Sequence, residues 1–150
     1  MTNKQLQAPA DAEKKAENEK KIEYLSRYLR AEQKRELLVQ EIEEMRSTKM
    51  SPFTPQLDGM PHGTERGGDL SVYMEKLDTL KAENIRRLSE NLRIREEIVL
   101  KILEMDVLES QVLRLRYIYG MKMWQIAEKL GHEERQVYRI YKRALKDFQI

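Results

Sequence analysis

Five basic side chains lie between positions 135 and 146 with no acidic residue among them: Arg135, Arg139, Lys142, Arg143 and Lys146. Guanidinium and ammonium groups bind phosphate, and an arginine can also donate two parallel hydrogen bonds to a guanine base. A cluster of this kind is the charge pattern that attracts a nucleic acid. The whole chain has a net charge of only +2, but residues 106–150 carry 9 basic and 6 acidic side chains, so the positive excess lies at this end.

The spacing of these residues predicts a helix over 133–148 with two different faces. Apolar residues recur at helical steps on one face: Val137, Ile140, Tyr141, Ala144, Leu145 and Phe148. The same steps place basic residues and an aromatic on the other face: Arg135, Tyr138, Arg139, Lys142 and Lys146. We expect the first face to pack in a core and the second to enter a major groove of DNA. The alternative interpretation is an ordinary solvated helix face.

The candidate DNA-binding residues are therefore Arg135, Gln136, Tyr138, Arg139, Lys142, Arg143 and Lys146. Arg135 and Arg139 are the candidates for base edges, and Tyr138 for a base or sugar. The remaining basic residues are candidates for contact with the phosphate backbone: Lys142, Arg143 and Lys146.

Two shorter helices are predicted ahead of the basic helix. Asp106 followed by Glu109 has the spacing of a capping box, and apolar residues then recur at steps of four, three and four as far as Gly120: Leu108, Val112, Leu115 and Tyr119. The second short helix covers 123–130 and is closed by Gly131. Since apolar residues at a helix start usually pack, Met123 and Trp124 are expected to be structural.

Four residues around the turn at Gly131 have the spacing of a helix-turn-helix: Ala127, Gly131, Val137 and Ile140. A small residue at 127 lets two helices cross closely, and Gly131 can adopt the left-handed conformation of a tight turn. Val137 and Ile140 then fill the angle between the helices. We therefore expect residues 105–150 to form a three-helix helix-turn-helix DNA-binding domain.

Residues 13–104 are predicted to form two long helical arms, which makes the expected fold class all-α. The first arm has no Gly or Pro over 12–49 and carries one apolar stripe: Tyr24, Tyr28, Ala31, Leu38, Ile42 and Met45. Asp69 can cap the second arm, whose stripe is Leu77, Ile85, Leu88, Leu92, Val99 and Ile102. The Pro- and Gly-rich segment 51–68 is expected to be a loop, and the polar residues 1–12 a mobile tail.

The arms could form an antiparallel hairpin or a coiled coil between chains. Each stripe is narrow and interrupted by charged residues, namely Arg35, Lys81 and Arg95. Partner helices cover such a seam in coiled coils, which favours a homo-oligomer, either a dimer or a tetramer. The alternative is that the arms support the C-terminal domain within one chain.

The composition gives no support to an enzyme. There is no cysteine, and the two histidines, His62 and His132, do not make a metal cluster or a catalytic triad. We expect no catalytic residue, no metal and no cofactor. No apolar run resembles a signal peptide or a membrane span, so the expected location is the cytoplasm of a bacterial host, with no membrane partner.

Three stretches of the sequence resemble region four of bacterial sigma factors: LESQVLRLRYIYG (108–120), WQIAEKLG (124–131) and RQVYRIYKRAL (135–145). Together with the connecting segment PQLDGMPHG (55–63), the chain over 22–148 is similar to the ArpU and RinA type of phage and prophage regulators. The resemblance implies transcriptional control, with activation of phage late or packaging genes. One departure is His132, Glu133 and Glu134, where sigma-like modules commonly place a Ser or Thr cap.

The leading expectation is a sequence-specific regulator that binds double-stranded DNA, with RNA polymerase as a further partner. The first alternative is a component of DNA packaging similar to a small terminase subunit, which also joins a helix-turn-helix to helical arms. The second is a protein-interaction module that contacts RNA polymerase without using the basic face.

Overall fold

The computed structural model describes residues 3–49 and 65–150, and over these residues all regular structure is helical. The expected all-α class is confirmed. The helices are α1 (Asn3–Leu25), α2 (Arg27–Lys49), α3 (Glu65–Leu103), α4 (Val107–Tyr117), α5 (Met123–Leu130) and α6 (Glu134–Asp147). Within the two described ranges, no helix combines the length and the apolar character needed to cross a bilayer.

The first arm begins earlier than predicted and is divided in two. Residues 3–12, expected to be a mobile tail, belong to α1, which contains Pro9. The Ala, Lys, Leu and Gln residues of this stretch have high helix propensity, which favours helix despite the proline. A turn at Ser26 separates α1 from α2, but the Ser26 and Arg30 amides still bond four residues back, at 2.9 and 3.1 Å. The helical hydrogen-bond pattern therefore continues through the turn.

The second arm also begins before its predicted cap. The helix α3 starts at Glu65, four residues ahead of Asp69. The predicted loop over 51–68 therefore overlaps α3 at its end, and its remainder, through residue 64, lies outside the described residues.

The described chain divides into two compact units, and each is considered by itself. The first unit comprises the described part of Met1–Arg30 together with Leu92–Ile150, and the second the described part of Ala31–Asn91. The boundary predicted at 104/105 does not coincide with this division. The three C-terminal helices instead share a unit with residues from both arms.

In the second unit, α2 and α3 run antiparallel and meet through a polar network. Arg35 is paired with Glu32 at 3.0 Å and donates to Asn84 Oδ1 at 3.3 Å, while the Asn91 amide donates to Glu32 Oε1 at 3.1 Å. Glu32 contacts Asn91, whereas Arg35, further along α2, contacts Asn84, which comes earlier in α3. This order shows that the two helices run antiparallel. Burial raises the pKa of Glu32, but hydrogen bonds from Arg35 and Asn91 outweigh it, so the pKa lies below its usual value.

Within one chain, the predicted apolar stripe of α3 is exposed over its central part. Ile85, Leu88 and Leu92 are exposed, by 69%, 39% and 51% of their surfaces. Over the described part of α3 the buried residues are Tyr73, Leu77, Asn91, Ile98 and Ile102, of which Leu77 and Ile102 belong to the predicted stripe. Two polar residues therefore occupy the face turned toward α2 within the second unit, since Asn84 and Asn91 are the partners of the Arg35 network. Apolar periodicity alone did not indicate this polar contact.

The first unit contains two hydrophobic clusters that share α4 and α6. The first cluster joins these helices to the end of α1 and the end of α3: Leu25, Ile98, Ile102, Leu113, Tyr117, Ile118, Ala144, Leu145 and Phe148. The second joins them to α5: Val112, Leu115, Met123, Ile126, Ala127, Val137 and Ile140. The helix α6 is thus packed on both sides, against α5 through its first half and against α1 and α3 through its last turns.

Candidate nucleic-acid interface

The inner face of α6 is the one that the sequence predicts. Val137, Ile140, Ala144, Leu145 and Phe148 are buried, and Tyr141 is half-buried. The Tyr117 and Tyr141 hydroxyls are hydrogen-bonded, and burial together with Tyr141 raises the pKa of Tyr117 far above its usual value. The Tyr117 phenol is therefore neutral, and the contact ties α4 to the middle of α6.

The outer face of α6 is exposed, again as predicted. Six of the seven candidate residues lie on it and are exposed: Arg135, Gln136, Tyr138, Arg139, Lys142 and Lys146. None of its four cations forms an ion pair with any residue that the structure describes. A row of uncompensated cations on one helix face produces a local positive field that draws in an anion.

The seventh candidate, Arg143, is held differently. Its Nε donates to Glu109 Oε1 of α4 at 2.7 Å, and Glu109 is buried with only 3% of its surface exposed. More than half of the Arg143 side chain, 56%, remains exposed. Arg143 therefore neutralises an internal carboxylate. The sequence predicted a contact with the phosphate backbone and did not indicate this internal partner.

The same contact corrects the prediction of a capping box at the start of α4. Asp106 is the N-cap residue, but its side chain makes no capping hydrogen bond. The carboxylate of Glu109 is directed to Arg143 instead. The sequence spacing suits both arrangements, and the partner that decides between them lies 34 residues away.

The turn between α5 and α6 is formed as the sequence predicts. Gly131 has φ of 69° and ψ of 30°, and the His132 amide donates back to the Ala127 carbonyl at 3.0 Å. No atom lies within 4 Å of the position that a Cβ on Gly131 would take. The glycine is therefore required by its left-handed backbone and not by a lack of space.

The N-terminus of α6 carries two acids. Glu133 is the N-cap residue, its side chain makes no capping hydrogen bond, and Glu134 lies in the first turn. Carboxylates at this end interact favourably with the positive end of the helix dipole. They also lie beside Arg135, so they oppose the approach of a phosphate to that end of the helix.

Burial differs between the two residues expected to be structural at the start of α5. Met123 is buried, as expected, whereas Trp124 exposes 53% of its surface. The expectation for Trp124 is wrong because only the other side of this short helix, with Ile126 and Ala127, faces the core. Trp124 is an exposed aromatic that sequence reasoning did not assign to the surface.

Comparison with known proteins gives no relative for this chain: no family model matches it, and neither a curated protein nor a solved structure does so significantly. Within the described ranges, no group of three or more His, Cys, Asp or Glu side chains is arranged to hold a metal ion.

Proposed function

We propose that the protein is a sequence-specific regulator that binds double-stranded DNA through a helix-turn-helix formed by α5 and α6, supported by α4. The observation that carries the proposal is the division of α6 into two faces. Val137 and Ile140 pack against α5 on one face, and on the other four cations lie exposed without ion-pair partners among the described residues.

The dimensions of this face suit a major groove. Arg135 and Lys146 are separated by eleven residues of helix, or about 16 Å at roughly 1.5 Å per residue. A helix fits in a groove about 12 Å wide, where its N-terminal half faces the base edges. In this arrangement Arg135, Tyr138 and Arg139 contact bases, while Lys142 and Lys146 bind the phosphates at the groove edge.

The resemblance to sigma region four extends the proposal to transcription. It supports activation of phage late or packaging genes, with RNA polymerase as a further partner. We also propose that the chain acts as a dimer or tetramer. Exposed apolar side chains support this in each unit, such as Leu37 and Ile85 in the second and Leu103 and Val107 in the first.

Selection from a random double-stranded DNA pool, followed by anisotropy titrations of the enriched sequence, tests the proposal. Arg139→Ala is expected to weaken specific binding by about 1–3 kcal/mol and to relax the preference at one base pair. Lys146→Ala is expected to weaken binding on every sequence and to reduce the salt slope by about 1. Lys15→Ala removes an exposed cation from α1 and serves as the charge-matched control.

Failure to enrich any sequence, or binding that ignores salt, contradicts the proposal. Unchanged transcriptional function in Arg135→Ala/Arg139→Ala indicates a protein-interaction module instead. Light scattering separates a dimer or tetramer from the ring of roughly eight or more subunits expected of a packaging component.

A further inference from the structure

The ammonium group of Lys21, in α1, is buried against the last turn of α6. Only 4% of the Lys21 surface is exposed. Its Nζ donates to the backbone carbonyls of Leu145 at 2.9 Å and Lys146 at 3.2 Å, and it lies 3.3 Å from the Glu17 carboxylate. Sequence reasoning did not single out Lys21, because its partners lie more than 120 residues away.

The ammonium group of Lys21 is engaged inside the protein. It donates to the two backbone carbonyls, and the Glu17 carboxylate lies within ion-pair distance of it. The last carbonyls of a helix lack partners within the helix and carry its negative dipole end, so a cation placed there stabilises them. With only 4% of its surface exposed, Lys21 is not free to bind a phosphate, so we expect its effect on a bound nucleic acid to act through α6.

The end of α6 held by Lys21 is the end that carries Lys146. The carbonyl of Lys146 accepts from Lys21, while its side chain extends into solvent. Next to it, Phe148 is buried and lies 6.0 Å from the Tyr24 ring, measured between centroids. The contacts with Lys21 and Tyr24 fix the last turn of α6, whereas Val137 and Ile140 fix its first half against α5.

We infer that Lys21 is a positioning residue of the DNA-binding face. By binding the C-terminal end of α6, it holds Lys146 at its phosphate while α5 holds the base-reading end. This inference rests on the proposed function. It assigns a role in DNA affinity to α1, which lies more than one hundred residues away from the binding helix in the sequence.

Lys21→Met tests the inference, since methionine keeps an unbranched apolar stem and removes every donor. The matched control is Lys20→Met, at the exposed neighbouring position. We expect Lys21→Met to lose about one phosphate contact, which at about 0.1 M salt is a roughly 5- to 10-fold weaker Kd and a salt slope lower by about 1. In a Lys146→Ala background, the same substitution is expected to have little further effect.

Hydrogen exchange tests the geometry without DNA. The Phe148 amide donates to the Ala144 carbonyl at 2.9 Å and is expected to lose protection in Lys21→Met. The Val137 amide, bonded to Glu133 at 3.1 Å at the other end of α6, is expected to keep its protection. If Lys21→Met does not fold, Lys21→Arg keeps the charge with a different donor geometry, and an intermediate loss of protection and affinity is expected.

Two results overturn the inference. One is an unchanged Phe148 exchange rate and salt slope in the variant. The other is an equal loss of affinity in the wild-type and Lys146→Ala backgrounds, which indicates general destabilisation. A wild-type chain that binds no DNA contradicts the proposed function. The hydrogen-exchange measurement needs no DNA, so it still tests the contact between Lys21 and α6.

Discussion

Replacement of Arg143 by methionine is expected to destabilise the first unit substantially, although Arg143 lies on an exposed helix face. The substitution keeps most of the apolar stem and removes the hydrogen bond of 2.7 Å to Glu109, whose side chain has no other hydrogen-bond partner among residues 3–49 and 65–150. Glu109 is 97% buried and cannot turn to solvent without disturbing α4. The variant therefore leaves a carboxylate inside the protein without its cation.

The size of the effect follows from the burial of the two partners. Loss of one partner of a fully buried ion pair costs about 3–5 kcal/mol. More than half of the Arg143 side chain is exposed, so solvent screens this pair and the smaller penalty for an unsatisfied buried acceptor applies, about 1–3 kcal/mol. For a chain of this size, about 2 kcal/mol lowers Tm by roughly 4–8 °C.

Thermal unfolding followed by circular dichroism measures the difference, with Lys142→Met as the control at the adjacent exposed position. The double variant Glu109→Gln/Arg143→Met is expected to be more stable than Arg143→Met alone, because no charge is then left buried. An Arg143→Met variant as stable as Lys142→Met would refute the reasoning, and so would a double variant that simply adds the two single losses.

Four further substitutions test single residues of the fold and of the candidate interface. Gly131→Ala is expected to lose about 1–2 kcal/mol in chemical denaturation and Gly131→Asn less, because only the left-handed backbone is strained. The depressed pKa of Glu32 stabilises the fold above pH 4.5 and this contribution is lost as pH falls, so Glu32→Gln is expected to flatten the acid limb of a stability profile. Burial and the hydrogen bond to Glu97 raise the pKa of Tyr24 to about 12. The stability that the neutral phenol contributes is therefore present below pH 10.0 and is lost as the pH rises towards 12. In Tyr24→Phe, the free energy of unfolding is expected to fall less steeply with pH over this range. Glu134→Gln removes an acid from the start of α6 and is expected to tighten DNA binding about two- to three-fold at low salt in anisotropy titrations, since a charge about 8 Å from a phosphate contributes roughly 0.5 kcal/mol in water.

The C-terminal helices are predictable from the sequence because their signals are local. Both α5 and α6 lie within one residue of their predicted bounds, and Gly131 ends α5 where the pattern places it. The inner and outer residues of α6 are also separated correctly by helical periodicity alone. A short helix with one strongly apolar face has only one way to be buried, so the pattern determines its orientation.

The long arms are less predictable because α3 has apolar residues on more than one face. The pattern selects Ile85, Leu88 and Leu92, whereas the structure buries Asn91 and half-buries Asn84. Which residues are buried depends on α2, where Arg35 donates to Asn84 and Glu32 accepts from Asn91. Periodicity measures apolar surface, so it cannot register a polar residue that is buried because a partner satisfies it.

The five cations of α6 form one cluster in the sequence but have different electrostatic roles in the structure. Arg143 is paired with a buried acid, so its charge is largely balanced within the protein. At Lys146 it is the backbone carbonyl that is held by Lys21, which leaves the ammonium of its own side chain exposed. A count of basic residues therefore overestimates the phosphate contacts available on this helix, and four cations, not five, contribute fully to its external field. The buried charges of Lys21 and Glu109 contact α6 from α1 and α4, and the exposed cations are the ones that the proposed function assigns to DNA.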